Sequence, residues 1–340
     1  MLRYIVDVIQ ITENGVYCQS GDFYIDPWAP VDRAVITHVH SDHARPGSKQ
    51  YLTAQPGQGL LRARLGEDAA VETLAYGESV SLNGVRVSFH PAGHVLGSSQ
   101  VRLEHRGEVW VVSGDYKLEP DATCAAFEPV RCHTFLTEST FGLPIYRWQP
   151  QSQVFEQIAA WWRSNQEKGK ASLLFAYALG KAQRVLAGID PSIGPIYTHG
   201  AVEKLTQVYR AAGIPLAQTI HAAAAVQPVW SRALILAPPS ANGTPWLRRF
   251  GPLSSGFVSG WMRIRGARRR RSLDRGFVLS DHADWPALLS AIDFTGASSV
   301  WVTHGYRRPL VRWLSEKGLQ AQSVDTHFEG EQDETGETAE

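Results

Sequence analysis

A chain of 340 residues, 44% apolar and 19% charged, has ample material for one large or two ordinary domains with a real core. No uncharged apolar run approaches the roughly 18 residues of a membrane span. The start MLRYIVDVIQ lacks an apolar stretch followed by a small-residue cleavage site, and Cys18, Cys124 and Cys132 form no CxxC pair. No secretory signal, membrane span or disulfide framework is therefore expected, and the cytoplasm is the expected compartment.

Up to about residue 145 the chain reads as short strands joined by turns: VYCQSGDFYID, RAVITHVH, VRVSFHPAGH, SQVRLEH, EVWVVSGDY and HTFLTEST. From Gln151 the rhythm changes, with Val154, Ile158 and Trp162 at helical spacing, then the buried-strand run ASLLFAYAL and the helical KAQRVLAGID. Strand and helix continue to alternate, which predicts a parallel sheet. After the arginine stretch come RGFVLSDHAD, the helical WPALLSAIDFTG, the strand SSVWVTHG and the helix PLVRWLSEKG. The pattern predicts a β-rich layer, an α/β segment over 146–274, and a return to the first layer. The zero net charge hides a separation. Met262 to Arg275 holds seven arginines against one acid, whereas Asp325 to Glu340 holds seven acids and no Lys or Arg. The acidic tail, 329–340, is expected to be disordered.

The stretch AVITHVHSDHARPG places His38, His40, Asp42 and His43 within six positions directly after an apolar run. Alternate residues of an extended strand share a face, so His38 and His40 are expected to point the same way, with Asp42 and His43 on the loop that follows. Imidazoles crowded this closely repel one another once protonated; a bound cation keeps them neutral and gives their lone pairs a partner. Three further candidates repeat the same grammar of apolar run, then His or Asp, then turn: His94 in PAGHVLG, Asp115 in VVSGDYK and His304 in WVTHGY.

THVHSDH resembles the HxHxDH signature of the metallo-β-lactamase fold, and the downstream order His, Asp, His fits it. LTEST, LSDHAD and VTHG further resemble the three signature motifs of the β-CASP nucleases, a nucleic-acid-processing branch of that fold. The short length and GFVSGWMRIRG…DRGFVLSDHADW look most like the bacterial ligase-associated DNA exonucleases. The resemblance implies an αββα metallo-β-lactamase sandwich from residues 1–145 and 275–328, with an inserted β-CASP α/β domain over 146–274. It implies two divalent cations, one held by His38, His40 and His94, the other by Asp42, His43 and His304, with the Asp115 carboxylate bridging both. Asp26, in YIDPW, would fix a histidine ring from behind. His282 would protonate the leaving alkoxide as general acid, and Glu138 would orient it and favour its protonated form. All these ligands offer nitrogen or oxygen, which suits zinc and also manganese.

Lys181 and Arg184, in LGKAQRV, sit where a strand turns into a helix, a place where backbone N–H groups and cations can hold a phosphate. Ser254 and Ser255, in PLSSGFVSGWM, are expected in a second anion-holding turn. Arg268, Arg269, Arg270 and Arg271 are candidate contacts to a phosphate backbone. The expected reaction is phosphodiester hydrolysis by an exonuclease on DNA, acting from the 5′ end. DNA ligase and helicase are expected partners on the family analogy. His304 resembles the RNA-processing β-CASP enzymes, because eukaryotic DNA-directed members often carry Val there, so RNA remains the alternative. Hydrolysis of a small ester is disfavoured by the inserted segment, Glu138 and His282, and a non-catalytic nucleic-acid-binding subunit by the complete set of ligands.

Overall fold

The computed structural model of the chain describes residues 8–264 and 273–326. They form two compact units, one made of 8–120, 124–145 and 282–326, the other of 121–123, 146–264 and 273–281.

The first unit contains two sheets. One has six strands in sequence order: β1 (Gln10–Thr12), β2 (Gly15–Cys18), β3 (Phe23–Ile25), β4 (Arg33–Ile36), β5 (Gln50–Ala54) and β6 (Val71–Leu74). The first three pair antiparallel and β3 to β6 pair parallel. The other sheet contains β7 (Ser79–Leu82), β8 (Val85–Pro91), β9 (Ser99–His105), β10 (Glu108–Val112), β11 (Thr134–Thr137), β18 (Ser299–Val302) and β19 (Gln320–Ser323). Its order is β19-β18-β11-β10-β9-β8-β7, with β10, β11, β18 and β19 parallel. One core cluster draws Phe23, Ile25 and Val35 from the first sheet and Phe89, Val101, Trp110 and Leu136 from the second. Alternation explains the shared core: β8 buries Val85, Val87 and Phe89 while Arg86 stays exposed. A second cluster packs Val111, Phe135 and Val300 against helices Trp285–Thr295 and Arg307–Glu316. The Trp285–Thr295 helix begins where the Asp284 carboxylate accepts from the Ala287 N–H, with proline in its first turn, and it ends on Gly296 in the left-handed region.

The second unit is built on an all-parallel sheet, β14-β13-β15-β12-β16-β17. Its strands are β12 (Ala171–Phe175), β13 (Ile196–Thr198), β14 (Ile220–His221), β15 (Leu234–Ala237), β16 (Leu253–Val258) and β17 (Arg275–Phe277). ASLLF and LILA are buried at every position because both faces of the sheet are covered. Helix Gln151–Glu167 buries Val154, Ile158 and Trp162, four residues apart, on one stripe. Strand Arg275–Phe277 pairs with Leu253–Val258, so the chain leaves this unit after Asp281 rather than near residue 274.

Candidate metal centre

The site lies in the first unit, where six strands release their chains: β3 into Asp26, β4 into His38–His43, β8 into His94, β10 into Asp115, β11 into Glu138 and β18 into His304. Strand β4 stops at Ile36, so His38 and His40 stand on the loop and not on the strand itself. The two rings still meet, 5.0 Å apart and nearly perpendicular. The loop carries the whole quartet, because the backbone N–H groups of His43 and Ala44 both turn back to the His40 carbonyl.

Candidate ligand atoms gather in overlapping sets, each within 4.8 Å: His38, His40, His94 and Asp115; Asp42, His43 and His304; Asp115, Glu138 and His282; and Asp26, His38 and His43. Asp115 is the hub. Its Oδ2 stands 3.4 Å from His38 Nε2, 3.5 Å from His43 Nε2 and 3.9 Å from His94 Nε2. His94 Nε2 and His40 Nδ1 face each other at 3.0 Å.

The far sides of the His43, His38 and His304 rings are fixed. His43 Nδ1 donates to Asp26 Oδ2 at 2.7 Å, and the Thr37 hydroxyl donates to the same oxygen at 2.5 Å. That hydroxyl in turn faces His38 Nδ1 at 3.1 Å, so one carboxylate orients both rings. The Thr303 hydroxyl does the same for His304 Nδ1, at 3.0 Å. With these protons held outward, the Nε2 atoms of His38 and His43 turn inward; both are buried and have no hydrogen-bond partner. Two orphaned imidazole lone pairs converging with carboxylate oxygens fit a divalent cation.

The electrostatics agree. Burial, then the neighbouring His38, lowers the pKa of His40 to about 3, and burial with the nearby His282 and His38 holds His94 well below its usual range. Burial likewise lowers His304. His43 goes the other way: burial opposes its charge, but Asp42, Asp115 and Asp26 together push its pKa up to about 10. The His43 charge in turn holds the Asp42 and Asp115 carboxyls below the carboxylate range, against burial. The three carboxylates about His43 thus gather negative charge that a divalent cation would offset.

Backbone geometry reinforces the convergence. Asp26 and His304 are non-glycine residues in the left-handed region, at φ of 46° and 49°. The Ser139 hydroxyl holds the Thr303 carbonyl at 3.0 Å and also donates to the His304 carbonyl. Gly114, before Asp115, leaves space that a Cβ would close to 2.6 Å from the Thr37 hydroxyl, and at Gly305 a Cβ would sit 2.4 Å from the Ser139 carbonyl oxygen. Thr37, Ser139 and Thr303 escaped the sequence reading because each acts through a neighbour; the signal was their place beside ligands in ITHVH, LTEST and VTHG.

Glu138 and His282 meet in the same unit, His282 Nδ1 lying 3.0 and 2.9 Å from the two carboxylate oxygens. Glu138 is itself pinned by the Tyr116 N–H at 2.8 Å, and the His282 ring lies 4.7 Å from that of His94.

Of the residues expected to hold phosphate, Lys181, Arg184, Ser254 and Ser255 lie in the second unit. Lys181 is fully buried, its ammonium 3.4 Å from Asp281 and over the Tyr177 ring. Arg184 is buried too, donating to Asp281 at 3.1 Å, to Gln151 at 3.0 Å and to the Ser280 carbonyl. Both cations serve an internal carboxylate. Ser254 and Ser255 lie in β16, paired with Ser172 and Leu173 of β12, not in a turn. Ser254 accepts from Trp161 Nε1 at 3.3 Å, and the Ser255 N–H donates to Asp274 at 2.8 Å. Arg268, Arg269, Arg270 and Arg271, and the acidic tail, fall outside the described residues. Among the described residues, no helix is long and apolar enough to cross a membrane.

No protein-family model matches the chain. A probable DNA ligase of Opitutus terrae is 30% identical over 316 residues, which cover 92% of this chain and 30% of that protein. An endoribonuclease YSH1 of Yarrowia lipolytica is 31% identical over 47% of this chain and 23% of its own length. An RNase J-like protein of Methanocaldococcus jannaschii is 27% identical over 53% of this chain and 50% of its own length. The chain thus spans half or less of these curated relatives. A crystal structure of a protein of unknown function from Enterococcus faecalis V583 matches with a TM-score of 0.54 at 12% identity, over 79% of this chain and 74% of that one, a likeness of fold alone. The chain itself is a mixed α/β fold, and the three curated relatives carry the names of nucleic-acid-processing proteins.

Proposed function

We infer that the chain is a dinuclear metal-dependent nuclease, a phosphodiesterase that degrades DNA from an end, on an αββα metallo-β-lactamase sandwich with a β-CASP domain. The observation that carries this reading is the convergence of seven candidate nitrogen and oxygen ligands, Asp115 among them, beside the buried Glu138–His282 pair. His38, His40 and His94 would hold one divalent cation, Asp42, His43 and His304 the other, and Asp115 would touch both. When bound, such a pair supplies an activated water and offsets charge on the phosphoryl oxygens. Zinc suits the histidine-rich set, and manganese is the alternative.

The chain's own residues supply the rest. Asp26, directly and through Thr37, keeps two rings in the tautomer that offers Nε2. Glu138 accepts the Nδ1 proton of His282, which leaves Nε2 to deliver a proton to the departing alkoxide. A relative named a DNA ligase over nearly the whole chain supports DNA as substrate and a ligase as working partner. The relatives named endoribonuclease and RNase J-like, together with His304, favour RNA as the second reading.

The test is a direct comparison of matched single-stranded DNA and RNA, labelled at either end, with zinc or manganese added to metal-stripped protein. Faster loss of nucleotides from the 5′ end of DNA is expected. Preference for RNA selects the second reading, and ready cutting of circular DNA overturns end-directed action.

A further inference from the structure

Between Lys204 and Leu273 the sequence contains no aspartate or glutamate, yet it carries Lys204 and ten arginines. This acid-free stretch supplies β14, β15 and β16 of the parallel sheet, and part of it forms an aromatic and cationic face at the carboxyl ends of two paired strands. His199 follows β13 and His221 ends β14, with Thr198 and His221 in register. In parallel α/β sheets these ends are where ligands gather.

The face is built around Trp246, half-buried in the 3₁₀ turn Pro245–Phe250. His199 stands edge-on to the Trp246 ring at 4.8 Å, Phe250 braces it at 4.7 Å, and the Arg249 guanidinium lies 5.7 Å from its centre. Phe250 in turn meets Trp230 at 4.8 Å, which joins this turn to the segment before β15. His199 Nδ1 accepts from the Ala201 N–H, so its ring is fixed with Nε2 as the donor. Arg248, Arg249 and His221 are exposed, and so are Val226 and Val229 on the adjoining segment.

We propose that this face of the second unit, His199, His221, Trp246, Arg248 and Arg249, binds single-stranded nucleic acid, with a base stacked on Trp246 and phosphates on the arginines. The ligand class follows from the mixture. A duplex backbone or a free polyphosphate rewards charge alone, whereas an unpaired strand offers flat apolar faces and charge together. The arginine over the indole is placed to close on a base, since guanidinium and indole both stack. Glu203, the acid bonded at this strand end, has its carboxylate held by Thr198, Thr219 and Arg210, which offsets its repulsion of a phosphate. The inference rests on the nucleic-acid reading above, but it concerns binding and needs no cleavage.

The experiment uses the full chain in EDTA, so that strands stay intact, and follows fluorescence anisotropy of labelled oligothymidylate, oligouridylate and an abasic strand of equal length. Trp246→Leu is expected to weaken both base-bearing strands by about 5- to 100-fold while leaving the abasic strand within about twofold. Trp246→Phe, which keeps a stacking face, restores most of the loss. The exposed pair Arg248→Gln/Arg249→Gln, away from the core, is expected to weaken all three ligands and to reduce the slope of log Kd against log salt by about 1.4, at about 0.7 per lost contact to a single strand. An unchanged salt slope in the arginine pair, or equal effects of Trp246→Leu on base-bearing and abasic strands, overturns the proposal. Failure of the unaltered chain to bind either nucleic acid counts against the nuclease reading itself.

Discussion

The Asp26 carboxylate accepts from His43 at 2.7 Å and from the Thr37 hydroxyl at 2.5 Å through the same oxygen, so a residue that faces the centre only from behind sets the direction of two inward-facing rings. Its other oxygen accepts the Thr37 N–H at 2.8 Å, which ties this orientation to the strand end. Asp26→Asn keeps the shape but reverses one donor–acceptor relation. It is expected to weaken divalent-cation binding by about 10- to 100-fold, read by titration calorimetry. Affinity within twofold of the unaltered protein would show that the rings are held by packing alone.

His282 and Glu138 are tested apart from the ligands. His282→Ala and Glu138→Gln are expected to retain bound metal while hydrolysis falls by about 10²- to 10⁴-fold. A general acid works in its protonated form, so activity of the unaltered enzyme falls on the alkaline side, and His282→Ala loses that limb. A variant that keeps both rate and limb would remove His282 from the chemistry.

The metal-free protein carries two opposite pH dependences. His40, whose pKa falls from 6.5 to about 3 on burial, and His94, also held low, bind protons more readily unfolded; their stabilising effect is complete above about pH 6.5 and fades as pH falls toward 3. His43, raised to about 10, stabilises the fold fully below about pH 6.5 and loses that effect as pH climbs through 10. Urea melts of stripped protein should therefore weaken at both ends, and His43→Gln should flatten the alkaline decline. An alkaline decline that persists unchanged in that variant would contradict a charged His43.

Arg184 and Lys181 test internal against external roles for cations. Arg184→Ala leaves Asp281, 2% exposed, with one buried partner fewer, and is expected to cost about 3–5 kcal/mol of stability. The salt dependence of nucleic-acid binding should stay as it was. A flattened salt slope with unchanged stability would return Arg184 to the phosphate.

The seven candidate ligands stood out in the sequence because they follow apolar runs and precede turns, a local pattern that survives without knowledge of the fold, and their ligand atoms gather in overlapping sets in the structure. The supports could not. Thr37 connects His38 to Asp26 only because β3 and β4 lie side by side, and Ser139 reaches the carbonyls of residues 303 and 304 across a long sequence separation. Lys181 looks like a phosphate ligand in GKAQR until Asp281, a hundred residues on, is seen to neutralise it. Ser254 and Ser255 read as a turn because serine and glycine favour turns in isolation. In β16 they pair in parallel with Ser172 and Leu173 of β12, and tertiary pairing overrides their turn propensity.

The most direct measurement is the divalent-metal content of purified protein after equilibrium dialysis, by mass spectrometry, for the unaltered chain, His38→Ala and Asp115→Ala. Two ions per chain are expected in the first, with loss in both variants and greater loss where the shared carboxylate is gone. An unaltered chain that takes up no divalent ion at saturation, or variants that bind as many ions as it does, would contradict the dinuclear centre.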